Sequence, residues 1–66
     1  MFTLKDKLSE NWIIGWNLET GKAGVFRVGE KAQQAYFTTE NDAWNFMGML
    51  EDVLKIDVQD LTVTEC

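Results

Sequence analysis

Between Trp12 and Val28, large apolar residues alternate with small or polar ones on either side of a single glycine-bearing turn. Few arrangements other than an antiparallel hairpin accommodate such a stretch. Side chains alternate across a strand, so Trp12, Ile14 and Trp16 point one way and Ile13, Gly15 and Asn17 the other. Leu18-Glu19-Thr20-Gly21-Lys22 supplies the turn, and it suits a three-residue loop closed by Gly21 at positive φ. That register sets Leu18 opposite Lys22, Trp16 opposite Gly24, Ile14 opposite Phe26 and Trp12 opposite Val28, gathering the large apolar groups on one face. Ile13, Gly15 and Val25 then make a smaller apolar patch on the other face, with Arg27 and Asn17 beside it.

The second firm element is a helix. Thr39 is a good N-cap, and Glu40 and Asp42 complement the positive end of the dipole. At about 100° per residue, Ala43, Phe46, Met47, Leu50, Val53 and Leu54 share one apolar stripe, with Asn45, Asp52 and Lys55 opposite. Lys55 is expected in the last turn, and the stripe is expected to lie across the apolar face of the hairpin.

The remaining segments carry weaker signals. In residues 1–11, Thr3-Leu4-Lys5-Asp6 reads as a cap-like start to a short helix with Leu4 and Leu8 on one face; an edge strand through Phe2 and Leu4 is the rival. A third strand spans about Ala32 to Phe37 after a turn at Val28-Gly29-Glu30-Lys31. A two-residue turn puts Ala35 and Phe37 on its apolar face, and a loop one residue longer puts Ala32 and Tyr36 there. Residues 56–60 read as a connector and Leu61 to Thr64 as a closing strand. The expected fold class is α+β: a small antiparallel-rich sheet, β-β-β-α-β, with one amphipathic helix on one face and at most a helical turn before it.

One domain is all that 66 residues support. The single cysteine, Cys66, rules out an internal disulfide, so an apolar core alone must hold the chain together. Lys5, Asp6 and Lys7 interrupt any signal-peptide apolar run, and Trp12 to Trp16 is too short to cross a bilayer. A cytoplasmic protein without membrane contact is the expectation. Charge is uneven: residues 1–39 carry five basic and four acidic groups, whereas residues 40–66 carry seven acids against Lys55 alone. A back half at −6 repels phosphate backbones, which argues against direct nucleic-acid binding.

The absence of histidine removes the usual base beside a Ser or Cys nucleophile, and one thiol is too few for a zinc site. Carboxylates are plentiful, but Glu51 and Asp52 diverge as helix neighbours, and Asp42 and Asp52 are about three turns apart. Asp57, Asp60 and Glu65 lack the spacing and the glycine of a calcium loop. No catalytic residue, cofactor or metal ligand is therefore assigned.

Contact chemistry is better supported. Trp44 lies on the helix flank, beside Glu51 and one turn before Gly48, whose missing side chain leaves either close packing or a notch. Indoles of this kind anchor protein interfaces. The candidate partner-binding residues are Trp44, Gly48, Glu51, Asp52, Ile13, Val25, Arg27 and Tyr36. They point to a non-enzymatic adaptor or inhibitor docking on a partner protein with a basic surface, with homodimerisation through the open sheet face compatible with it. The alternative is a small-ligand binder whose pocket forms at a homodimer interface, with Tyr36 stacking and Arg27 or Lys31 pairing an anionic group.

Overall fold

The structure is a computed structural model describing residues 1–66. It is α+β: strands β1 (Phe2–Asp6), β2 (Trp12–Asn17), β3 (Ala23–Arg27), β4 (Ala32–Gln34) and β5 (Tyr36–Phe37), then helix α1 (Glu40–Asp52) and strand β6 (Leu61–Glu65). The strands form two three-stranded sheets, ordered β5-β1-β6 and β3-β2-β4, with every strand pairing antiparallel.

The hairpin forms with a register one residue away from the expected one. Trp12 lies opposite Arg27, Ile14 opposite Val25 and Trp16 opposite Ala23. The cause is Asn17. Its backbone N–H donates to the Lys22 carbonyl at 2.9 Å, and its carbonyl accepts from Gly21 at 2.8 Å, which makes the loop four residues long. Its side-chain Oδ1 also accepts from the N–H groups of Glu19 and Thr20 at 2.8 and 3.0 Å. An Asn side chain that satisfies two loop amides favours the longer turn. Gly21 still takes positive φ, at 72°. A one-residue slip flips every side chain of β3, so Val25 and Ala23 pack against the core. Phe26 moves to the reverse face, where its ring lies over Gly24.

The N-terminal segment is a strand, and the expected helical turn is absent. Strand β1 is the centre of its sheet, pairing Phe2 with Phe37 on one side and Leu4 with Val63 on the other. Pairing with residues remote in sequence outweighs a weak local helix signal. Thr3, read as a helix cap, is instead buried, and its hydroxyl donates to the Ala35 carbonyl. Asp6 instead closes a turn after β1: its Oδ1 accepts from Leu8 and Ser9 N–H at 2.7 and 3.2 Å.

The third strand does not continue a meander. It divides at Ala35; β4 pairs with β2 on the flank away from β3, and β5 pairs with β1. Ala35 is buried and Phe37 packs against the core, so its apolar face is the one the shorter turn implied. Gln34 joins the two sheets. Its Oε1 accepts from Ile14 N–H at 3.0 Å, while Nε2 donates to Thr3 Oγ1 and the Leu4 carbonyl, each at 2.7 Å. A buried backbone donor and acceptor at this corner would otherwise lack partners.

Helix α1 starts as expected, with Thr39 Oγ1 accepting from Asp42 N–H at 3.2 Å. Its stripe of Ala43, Met47 and Leu50 forms one core with Leu4, Ile14 and Leu61. The helix packs chiefly on β1, β5 and β6, not on the hairpin face. It reaches the hairpin through Ile14 and an edge-to-face contact between Phe46 and Trp16, with centroids 5.6 Å apart. The helix ends at Asp52, so Val53 and Leu54 fall outside the core and are exposed. Leu54 and Ile56 N–H groups bond back to Met49 and Leu50 carbonyls across five and six residues, with Lys55 left-handed at φ 57°. This turn brings Ile56, not Val53 or Leu54, against the core. Lys55 thus lies beyond the last helical turn. No helix is long and apolar enough to cross a membrane.

Candidate functional site

Two surfaces collect the residues of interest. The first is the outer flank of α1. The charged residues of the helix are Glu40, Asp42, Glu51 and Asp52, all acidic and all exposed, and Glu40, Glu51 and Asp52 lie on the Trp44 side. Trp44 is 51% exposed, and its Nε1 donates to Glu40 Oε1 at 3.3 Å. That i to i−4 bond holds the indole along the helix, since residues four apart are stacked on one face. Gly48 follows one turn later, and a Cβ built there meets no atom within 4 Å. The flank is open at Gly48, and close packing does not account for the glycine. Glu51 and Asp52 complete the row beyond it.

The second surface is a groove of 590 Å³ on the reverse face of the β1 sheet. Tyr36 lies directly opposite Thr3 there, and alternation along β1 places Lys5 on the same side. Lys5, Lys7, Ile13, Val28, Gln34 and Tyr36 line it. Lys5 and Lys7 are exposed and form no ion pair, the only one in the protein being Lys31 with Glu19 at 3.2 Å. The Tyr36 hydroxyl makes no hydrogen bond to protein.

The candidate residues therefore separate. Trp44, Gly48, Glu51 and Asp52 share the helix, and Ile13 and Tyr36 share the groove. Val25 belongs to neither surface. The register shift turns it toward the core, where it also walls a smaller hollow with Trp12 and Leu61. Arg27 lies over the Trp12 ring, 5.4 Å from its centroid. It thus stands apart from Tyr36, and Lys31 is engaged with Glu19. Lys5, Lys7, Val28 and Gln34 line the groove without being among the candidate residues, and the two lysines are its cations. The spacing of two between Lys5 and Lys7 marks one face of a strand, a signal that a helical reading of residues 1–11 hides. No three His, Cys, Asp or Glu residues gather as metal ligands would. No protein family, curated protein or solved structure matches this chain.

Proposed function

We propose that this protein is a small, non-enzymatic interaction module, an adaptor or inhibitor that docks on the basic surface of a partner protein through Trp44. The observation that carries the reading is a half-exposed indole on a helix whose every charge is negative. Tryptophan supplies a large rigid apolar surface, which is why it recurs at the energetic centre of interfaces. The surrounding carboxylates set orientation and accelerate encounter with a cationic patch more than they add affinity. The open position at Gly48 leaves room beside the indole for a partner side chain.

Affinity capture with the immobilised chain tests this. Proteins retained by the wild type should be lost on Trp44→Ala and on the charge reversal Glu51→Lys/Asp52→Lys, and should elute with rising salt. A set of captured proteins indifferent to both changes, or no captured protein, would sink the proposal.

A further inference from the structure

The groove on the reverse face of the β1 sheet is separate from the Trp44 flank and offers different chemistry. We infer that it binds a small amphipathic anion: a planar apolar body carrying a carboxylate, sulfonate or phosphate. Its volume, 590 Å³, falls within the range of small-molecule sites. Ile13, Val28 and the Tyr36 ring give it apolar walls. Lys5 and Lys7 bring two ammonium groups that no carboxylate in the protein pairs.

Asp6, between them in sequence, also borders the groove but forms an ion pair with neither lysine. Its Oδ1 is occupied by Leu8 and Ser9 N–H. Glu10 is the other acid that lines the groove, and it too is unpaired. The two unpaired ammonium groups beside the apolar walls are the groups that an anion with a hydrophobic body would engage. The Tyr36 hydroxyl supplies a free donor beside them.

The probe is 8-anilinonaphthalene-1-sulfonate, compared with the uncharged N-phenyl-1-naphthylamine, with amide chemical shifts recorded by NMR on the full chain. The sulfonate should bind one to one and shift the amides of Lys5, Ile13, Gln34 and Tyr36. Lys5→Gln/Lys7→Gln should weaken it by about tenfold or more, as expected for losing charge-assisted contacts. Binding of the uncharged analogue should not change. Val28→Glu, which places a like charge on the apolar wall, should weaken the sulfonate in the same way and guards against a folding artefact in the lysine variant. Equal sulfonate affinity in wild type and the lysine variant overturns the inference, as do shifts confined to α1. Sedimentation showing a wild-type dimer that dissociates on Lys5→Gln/Lys7→Gln also overturns it, assigning the groove to a second copy instead.

Discussion

Gly15 sits where β4 crosses close to β2, and Gly15→Ala is expected to undo that junction. A Cβ built there lies 1.9 Å from the Gln33 carbonyl oxygen, 2.8 Å from Ala35 N and 3.0 Å from the Gln33 carbonyl carbon. All three obstacles are backbone, so no rotamer change relieves them. Restoring even a 3.0 Å contact requires β4 to retreat by about 1.1 Å. The Ala35 N–H to Ile14 carbonyl bond, now 3.0 Å, then exceeds any hydrogen-bonding distance. The Gln34 Oε1 bond to Ile14 N–H and part of the β2–β4 ladder follow it. Three or four bonds at about 1 kcal/mol each give a loss of about 3–4 kcal/mol. That is a third or more of the stability of a chain this short, which amounts to roughly 3–10 kcal/mol. Gly48→Ala is the matched control: it adds the same methyl group in open space within a helix and should stabilise by about 1 kcal/mol. Urea titration followed by far-UV circular dichroism reads both. At a slope of about 1 kcal/mol/M, the midpoint should fall by about 3 M for Gly15→Ala and rise by about 1 M for Gly48→Ala. A Gly15→Ala midpoint within about 0.5 M of wild type would refute the close approach of the two strands.

Three further outcomes are expected. Gln34→Leu leaves Ile14 N–H and the Leu4 carbonyl without partners and should cost about 2–5 kcal/mol, whereas Gln34→Met at the same cost but Gln34→Glu without any loss would contradict the donor role of Nε2. Lys55→Gly should stabilise by about 1 kcal/mol, because the left-handed conformation at φ 57° penalises a Cβ; differential scanning calorimetry should show Tm rising by about 4–8 °C, and a fall would contradict the assigned turn. Trp44→Phe should remove the indole most accessible to acrylamide, since Trp44 is more exposed than Trp16 or Trp12, and should change stability by less than about 0.5 kcal/mol; undiminished quenching would place the indole inside.

Local rules recovered the elements governed by local chemistry. Thr39 caps α1 because a hydroxyl three residues before a free N–H needs nothing from the rest of the chain. Gly21 adopts positive φ for the same kind of reason. The inward order of Ala43, Met47 and Leu50, and the burial of Ile14, follow from residue periodicity alone. On the functional side, the same periodicity placed Trp44 off the stripe, and its exposure is the consequence.

Everything that depended on a partner distant in sequence was decided by tertiary structure. Residues 1–11 carry a faint helical signal, yet β1 gains two neighbours at once, β5 and β6, and a central strand outweighs one short turn. The Asn17 side chain selected a four-residue loop, and with a side-chain period of two, that single step exchanged Val25 for Phe26 at the core. Gln33 and Gln34 are adjacent and chemically identical; only the meeting of two sheets gives Gln34 three partners and leaves Gln33 at the surface. Lys5, Lys7, Ile13 and Tyr36 became neighbours through the same meeting. Amino-acid order alone thus determined that residues 12–27 form a hairpin, that residues 40–52 coil and where the acidic flank lies, because those preferences act within a few residues. Which strands pair, and which side chains converge on one groove, depended on contacts closed across the whole chain.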